Sequence, residues 1–293
     1  MNISKIGVVI LNYGYPSKTI ELAASLHQKE KSAVIIIVDN FSSDQNLRLL
    51  QEFIADQSSQ LYLIENNFND GYGAGNNLGF KLLFEELLCD ASIAINPDIT
   101  LDPNFSFDSI RSIKWEEEVL FTGLVNQHGL EYSTYQFNSF IFSSKPLGLV
   151  GSTGDYPKYI SGCFWGMSKE MWFRFGGFST SYFLYFEELD FIYRYKLKKG
   201  FFPNIYEFKN MKVTHQMGGT TGSSSDKTLS SSFSDYWSSR SRIIFAKTHI
   251  RKYIVNALFY NILKAFLMIY HLRLRNALNI VKGTIDGLFS QTR

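Results

Sequence analysis

The sequence predicts an α/β fold in which helices cover both faces of a doubly wound, mostly parallel sheet. Short apolar runs rich in β-branched residues alternate with segments of helical spacing through the first hundred residues. Continuous apolar runs are typical of strands buried on both faces, and alternation with helices is typical of doubly wound domains. The 293 residues, 45% hydrophobic and 16% aromatic, can form a large core without disulfides.

Four strands and three helices are predicted in the first half of the chain. The strands are residues 6–11, 33–38, 61–64 and 92–95, and the helices are 19–28, 47–54 and 78–88. Ligands of such sheets bind beyond the carboxyl ends of the strands. Asn12, Asp39, the 69–79 loop and Asp98 follow the four strands, so they are the first candidates for a binding site.

The second half is less regular. Strands are predicted at 119–125, 159–167 and 211–214, and helices at 169–175 and 189–199, with Gly200 as a left-handed cap. Residues 218–239 are rich in Gly, Ser and Thr, a composition that predicts a mobile loop. Residues 240–285 have helical spacing throughout and predict a C-terminal helical tail.

The charge is distributed unevenly along the chain. Residues 240–293 contain ten Lys or Arg and one acid, Asp286, although the net charge of the whole chain is only +2. Basic residues interleaved with Ile, Leu and Phe favour a membrane surface as the partner of this tail over duplex nucleic acid. We therefore expect no nucleic-acid partner.

An apolar stretch within the tail allows three interpretations. Residues 254–270 are apolar except for Asn256, Asn261 and Lys264. Seventeen residues are short for spanning a bilayer, and a central Lys costs about 2.5–3.5 kcal/mol there. An amphipathic helix in the membrane interface is preferred, and a helix packed on the body remains the alternative.

Cysteine content and the N-terminus indicate the compartment. Cys89 and Cys163 lie far apart and are too few for a disulfide scaffold or a zinc module. Residues 1–21 lack the pattern of a secretory signal. We expect a reduced, intracellular enzyme.

Three segments of the first half could bind a nucleotide. Asp39 could accept hydrogen bonds from a base or ribose, or it could only end the strand in an Asx turn. The glycine-rich loop at 69–79 lets the backbone approach a phosphate or sugar closely, and Asn76 and Asn77 open the next helix, although an ordinary loop and cap would look similar. Residues 96–98, Asn-Pro-Asp, could hold Mg²⁺ or Mn²⁺ or form a simple turn.

A cluster of carboxylates follows a strongly aromatic run in the second half. Glu187, Glu188 and Asp190 are flanked by Tyr182, Phe183, Tyr185 and Phe186. Apolar surroundings and like charges raise carboxylate pKa values, which suits a general base. The alternative is the acidic first turn of a helix. His215 could be a metal ligand or an ordinary surface histidine.

Together these motifs resemble the family 2 inverting glycosyltransferases, in particular the rhamnosyltransferase-like branch that builds bacterial O-antigen and other cell-surface glycans. The resemblance covers about residues 5–250. The motifs occur in order as VVILNYG at 8–14, VDNFSSD at 38–44, NDGYGAGNNLG at 69–79, INPD at 95–98, ISGCFWGMSKEMWFRFGGF at 160–178, FLYFEELD at 183–190 and the late His215.

The resemblance implies a GT-A fold. Residues 1–239 would form the glycosyltransferase domain, with a nucleotide-binding half at 1–102 and an acceptor half at 103–239, followed by the basic amphipathic tail at 240–293. The donor-binding residues it implies are Asn12, Asp39, Asn40, Gly71, Asn76, Asn77, Asp98 and Arg240. Asp98 and His215 would hold Mg²⁺ or Mn²⁺, although the first Asp of the usual Asp-x-Asp motif is absent.

The resemblance also implies an inverting reaction. Its base position falls on Glu188, where the family usually has Asp, so Glu187 and Asp190 remain alternatives. The expected donor is dTDP-rhamnose, with UDP-hexoses next, and the expected acceptor is a polyprenyl-diphosphate-linked glycan. The enzyme would then lie on the cytoplasmic face of the cell membrane. A nucleotidyltransferase or a catalytically silent sugar-nucleotide-binding scaffold is the competing interpretation.

Overall fold

The first four strands form the parallel half of the central sheet. In the computed structural model, which describes residues 3–56, 60–112, 117–148, 156–215 and 230–291, their order is β3-β2-β1-β4 and every pairing among them is parallel. The strands are β1 (Ile6–Asn12), β2 (Val34–Asn40), β3 (Leu61–Asn66) and β4 (Ala91–Ile95). All four predicted strands are confirmed.

Helices connect these strands as predicted, except that the third begins at residue 72 and not at 78, so most of the predicted loop at 69–79 is helical. They are α1 (Pro16–Lys29), α2 (Asp44–Ala55) and α3 (Tyr72–Lys81), the last continued by a π-helical turn at Leu82–Glu86. In β1, Val8 and Ile10 belong to one buried cluster with α1 and α2, while Val9 and Leu11 belong to a second cluster with α3. This alternation explains why an unbroken apolar run forms a strand covered on both faces.

The second half makes the sheet mixed. The additional elements are β5 (Ile99–Leu101), α4 (Asp108–Ser112), β6 (Leu120–Gln127), β7 (Leu130–Tyr132), β8 (Thr134–Asn138), β9 (Ser143–Leu147), β10 (Lys158–Ile160), β11 (Phe164–Ser168), α5 (Lys169–Phe175), α6 (Glu187–Lys199) and β12 (Ile205–His215). The order of the central sheet extends to β3-β2-β1-β4-β11-β6-β12-β5, with β7 beside β6. The added pairings are antiparallel except that of β6 with β12, which is parallel. A separate sheet has the order β10-β8-β9.

The predicted strand at 159–167 is two strands in different sheets. A turn at 161–163 separates them, closed by a hydrogen bond from Phe164 N to Ser161 O. Gly200 ends α6 in the left-handed conformation, as predicted. The short strands β5, β7, β8 and β9 have no counterpart among the predictions, because three to five residues carry too little periodicity to be recognised.

Three helices form the C-terminal region, namely α7 (Ser232–His249), α8 (Ile254–Tyr270) and α9 (Leu274–Phe289). The predicted continuous helix at 240–285 is therefore broken at residue 250 and at residues 271–273. The predicted loop at 218–239 was too long, because Ser231 caps α7 and residues 232–239 are helical. Residues 218–229 lie outside the described part of the chain. The division into domains at residue 239 stays a prediction.

Candidate active site

A cavity of about 270 Å³ lies at the carboxyl ends of β1, β2, β4 and β12. The parallel strands end at one edge of the sheet, and the turn at 161–163 and the start of α6 complete the walls. This is the place where doubly wound sheets bind ligands. Of the residues predicted to form a site, Asn40, Gly71, Asp98, Glu187, Glu188 and His215 line this one cavity.

Asp98 and His215 meet on one side of the cavity. Asp98 follows β4, His215 ends β12, and the distance from Asp98 Oδ1 to His215 Nε2 is 3.3 Å. Burial opposes a positive charge on the imidazole, but Cys163 and Asp98 outweigh it and raise the pKa of His215 to about 10. The two residues form a pair of one carboxylate and one imidazole at the mouths of two strands.

Glu187 and Glu188 begin α6 on another wall. Tyr185 and Phe186, directly before them, have positive φ values of 67° and 72°. Bulky residues rarely adopt this conformation, and such strain concentrates at functional sites. The turn brings both carboxylates into the cavity lining.

The Gly162 peptide holds Glu188 in place. Gly162 N donates to Glu188 Oε1 at 2.8 Å, and the hydroxyl of Tyr72 donates to Gly162 O at 2.5 Å. Burial is the main cause of a raised pKa for Glu188, although the Gly162 hydrogen bond opposes it. Glu187 is more deeply buried, and burial together with the neighbouring Glu188 and Asp190 raises its pKa well above 4.5.

Asp190 lies outside the cavity lining. Its carboxylate pairs with Arg194 Nε and His249 Nε2, each at 2.7 Å, and burial is outweighed by these partners, which lower its pKa. The Asp190 side chain ties α6 to α7, so it offers less to a substrate than Glu188 does, and its role as an alternative base stays a prediction. No local pattern indicates the partner His249, which is 59 residues away.

Asn12 and Asp39 form a buried hydrogen-bonded chain at the carboxyl ends of β1 and β2. Asn12 Nδ2 donates to Asp39 Oδ1 at 2.7 Å, and Thr19 Oγ1 donates to Asn12 Oδ1 at 2.8 Å. Asp39 Oδ2 also accepts from Ser42 N. Neither Asn12 nor Asp39 lines the cavity. Asn12 thus orients Asp39, and the carboxylate keeps lone pairs for a further donor.

Asn40 and Gly71 form the adjoining wall. Asn40 accepts from Asn66 Nδ2 and donates to Asn69 Oδ1, both at 2.9 Å. A Cβ atom at Gly71 would lie 2.2 Å from Phe183 O, and the φ of this residue is 97°. Only glycine therefore allows the loop to pack against the segment that leads into α6.

Three residues predicted to bind the donor are engaged elsewhere. Asn76 donates to Tyr72 O, and Asn77 both donates to Phe178 O and accepts from Phe178 N. Arg240 donates to Ser181 O, and its guanidinium lies 5.5 Å from the Trp237 ring. None of the three lines the cavity. The side chains of Asn77 and Arg240 hold the 177–181 segment, and their contact with a donor stays a prediction.

The family model described as "Glycosyl transferase family 2" matches residues 8–172, which is more than half of the chain. The chain belongs to glycosyl transferase family 2. Among curated proteins, it is similar to the low-salt glycan biosynthesis hexosyltransferase Agl10 of Haloferax volcanii, with 23% identity over 200 residues. That alignment covers 64% of this chain and 61% of the Haloferax protein.

Solved structures show the GT-A fold of this family 2 member. GalNAc-T7 with UDP, GalNAc and Mn²⁺ matches with a TM-score of 0.61 and 16% identity, covering 89% of this chain and 55% of that one. The mannosyltransferase PcManGT of Pyrobaculum calidifontis, in complex with GDP-Man and Mn²⁺, matches with a TM-score of 0.54 and 9% identity, covering 97% and 87%. The chain thus spans little more than half the length of GalNAc-T7.

The donor set at Asp98 and His215 fits a divalent ion shared with a ligand. A carboxylate oxygen and an imidazole nitrogen suit Mn²⁺ once the ion displaces the proton of His215, and Mg²⁺ commonly keeps few protein ligands beside phosphate and water. Within the described residues, no group of three or more His, Cys, Asp or Glu could hold a metal. The site fits an ion held jointly by this family 2 chain and a diphosphate, and it does not fit an ion caged by protein alone.

Sequence reasoning missed several residues of the cavity. Tyr13, Tyr72, Gly162 and Cys163 all line it. Gly162 and Cys163 belong to a motif that the resemblance used, but the expected continuous strand concealed the turn that carries them. Tyr72 lies within the glycine-rich motif as the first residue of α3, and its role depends on the hydrogen bond to Gly162, which is 90 residues later in the sequence.

Gly71→Ala should destabilise the protein more than Gly14→Ala. Both glycines have positive φ, but a Cβ at Gly14 has no atom within 4 Å. The control should lose about 1–2 kcal/mol of unfolding free energy from backbone strain, and Gly71→Ala about 1–3 kcal/mol more from the clash with Phe183. Urea unfolding measures both. Equal losses would contradict the close packing of this loop.

Proposed function

We propose that the protein is an inverting glycosyltransferase. The acceptor hydroxyl oxygen attacks the anomeric carbon of a nucleotide sugar from the face opposite the nucleotide. A bond forms between that oxygen and the anomeric carbon, the bond from this carbon to the diphosphate oxygen breaks, and the hydroxyl proton passes to a carboxylate. The observation that carries the proposal is the position of Glu187 and Glu188 in the same cavity as Asp98, His215 and Gly71.

Glu188 is the proposed general base. It is less buried than Glu187, and its Oε1 is fixed by Gly162 while the other oxygen remains for an acceptor hydroxyl. The raised pKa of Glu188 lies closer to neutral pH, which makes its carboxylate a better proton acceptor. Because only the ionised form accepts the proton, activity should fall as the pH decreases through this pKa.

Asp98 and His215 are the proposed partners of the donor diphosphate. A bound Mg²⁺ or Mn²⁺ would supply positive charge to the departing diphosphate. His215 would hold the leaving group on one side, while Asn40 and Gly71 would form the wall on the other side of the donor. Asp39, fixed by Asn12, would accept hydrogen bonds from the nucleoside.

The donor sugar is the most specific part of the proposal. We favour dTDP-rhamnose, from the resemblance to the rhamnosyltransferase-like branch, and UDP-hexoses second, since the Haloferax relative is named a hexosyltransferase. Thermal-shift measurements against a panel of nucleotide sugars would decide, because a donor at 100 times its dissociation constant stabilises by about 2.7 kcal/mol.

A polyprenyl-diphosphate-linked glycan is the proposed acceptor. The protein would then work on the cytoplasmic face of the cell membrane, in the synthesis of a surface polysaccharide such as O-antigen, and contact the bilayer through residues 240–293. A donor-binding scaffold without catalysis is the alternative. Slow hydrolysis of the donor by the purified protein would favour the enzyme.

Glu188→Gln should lower turnover by about 10² to 10⁴, because the amide cannot accept the proton. The Kd of the donor should not change, since the substitution lies on the acceptor side. Steady-state kinetics and donor titration measure the two effects. If Glu188→Gln is active while Glu187→Gln is inactive, the base is Glu187.

Gly162→Ala should lower kcat without unfolding the protein. The added Cβ would lie 2.6 Å from Glu188 Oε1, the end of a flexible side chain, so the carboxylate moves and the backbone does not. Misplacement of a catalytic group by about 1 Å can cost about a hundredfold in rate. Gly148→Ala is the control, because its Cβ would make only an ordinary van der Waals contact, 3.8 Å from Glu131 O. Unchanged kcat in Gly162→Ala would contradict the role of this peptide.

Asp98→Asn should weaken the response of turnover to Mn²⁺ or Mg²⁺. The amide keeps one oxygen but loses the charge that attracts a divalent ion. Rates measured across a range of metal concentrations, after removal of metal with a chelator, give the apparent affinity. The same metal dependence in wild type and variant would exclude Asp98 from the site.

A further inference from the structure

We propose that the catalytic domain itself contacts the bilayer, through the turn between β8 and β9, as one end of a continuous membrane-binding face. The other members of this face are the outer sides of α8 and α9. Its occupant is an anionic lipid bilayer that lies along the two helices. The inference rests on the proposed membrane location and adds a contact outside the C-terminal tail.

The polar side chains of α8 fix this helix on the body. Lys264 Nζ lies 2.6 Å from Asp235 Oδ1, and the Asp235 carboxylate is fully buried. Asn261 is also buried, donates to Ser239 O and Thr284 Oγ1, and accepts from Arg242. Removing one partner from a buried ion pair typically costs about 3–5 kcal/mol. The helix that could span a membrane by length and composition is therefore held against α7.

The opposite sides of α8 and α9 are apolar and exposed. Their most exposed apolar side chains include Val255, Phe259, Phe266, Tyr270, Leu278 and Phe289. Between the helices lies an apolar groove of about 310 Å³, lined by Ile262, Phe266, Ile269, Val281 and Ile285 among others. Soluble monomers rarely expose contiguous apolar surfaces of this kind without a binding role.

The turn between β8 and β9 extends this surface. Phe140 and Ile141 at its tip are 61% and 52% exposed. Asn256 Nδ2 donates to Phe140 O at 3.0 Å, and the Phe140 ring lies edge-on to Tyr253 at 6.1 Å. The turn is therefore attached to the first turn of α8.

The conformation of this turn is also fixed from within. Asn138 Oδ1 accepts from Phe140 N at 2.9 Å, and Phe142 is buried against Phe137. The two exposed apolar side chains are thus presented on a rigid support. A membrane anchor built this way loses little conformational entropy on binding.

Charge favours lipid over a second copy of the chain. Arg251, Lys252 and Arg275 are exposed beside the apolar face. The one acid in this region, Asp286, accepts a hydrogen bond from Tyr236. Two copies joined through this face would bring like charges together, whereas anionic headgroups attract each Lys or Arg by about 1 kcal/mol.

The face ends beside the candidate active site. Arg273, between α8 and α9, donates to Ser230 O at 2.6 Å, and Asn276 donates to Asp235 Oδ2 at 2.7 Å. These contacts hold the α8–α9 turn at the start of α7, where Phe233 reaches the cavity lining. A bilayer on this face would bring a lipid-linked acceptor to the mouth of the cavity.

The test compares three variants of the full chain by co-sedimentation with vesicles of phosphatidylglycerol and phosphatidylcholine. Phe140→Ser/Ile141→Ser should lower the partition coefficient on anionic vesicles by about tenfold, and Ile262→Ser/Phe266→Ser by at least as much. Leu197→Ser, at an 85% exposed position on α6, is the matched control and should not change it. Circular dichroism confirms that each variant is folded.

Two results would overturn the inference. Unchanged partitioning of Phe140→Ser/Ile141→Ser would limit the contact to the tail. If light scattering shows that the wild-type protein is a dimer and does not bind vesicles, and Ile262→Ser/Phe266→Ser is a monomer, the occupant is a second copy of the chain. Hydrolysis of the donor in solution should be unaffected in Phe140→Ser/Ile141→Ser. This measurement therefore tests the proposed reaction independently of membrane binding.

Discussion

The Gly162 peptide joins the two halves of the protein at the candidate active site. Its carbonyl accepts from Tyr72 of the glycine-rich loop, and its N–H donates to Glu188 at the start of α6. The start of α3 and the carboxylate cluster are therefore both hydrogen-bonded to this one peptide. A movement of the loop on binding a donor would be transmitted to the proposed base over two hydrogen bonds. The chemistry depends on this link because a base must be placed within a fraction of an ångström.

Packing of the surrounding segments supports the link at an energetic cost. Tyr185 and Phe186 adopt strained backbone conformations, and Glu187 is buried with Oε2 lacking a hydrogen-bond partner among the described residues. Each of these features costs about 1–3 kcal/mol. Asp190 offsets part of the cost, since its pair with His249 anchors the same helix turn to α7 and its pair with Arg194 lies within α6. The third carboxylate of the cluster stabilises the arrangement that the first two need.

The parts predicted from the sequence are those encoded by local pattern. The strands β1 to β4 are long apolar runs, and polar residues at their ends meet at one edge because parallel strands require it. Asn40 and Asp98 were predicted from such strand ends, Gly71 and the two glutamates from motifs of their own, and all five line the cavity. Asn77 and Arg240 do not line it, because the pattern gives a residue's segment but not the direction in which its side chain points. The turn at 161–163 escaped notice because its flanking residues are as apolar as a strand interior.

The charges of the cavity bear on how a diphosphate could bind. Asp98, Glu187 and Glu188 line it, and His215 is the sole basic side chain among the described lining residues. Asp98 already offsets the charge of His215, so the described lining offers no net positive charge to a donor that carries two negative charges. With Arg240 turned toward Ser181, the described side chains cannot neutralise the leaving group by themselves. A divalent ion that enters together with the donor would resolve this imbalance, because it would bind Asp98 and the diphosphate at once.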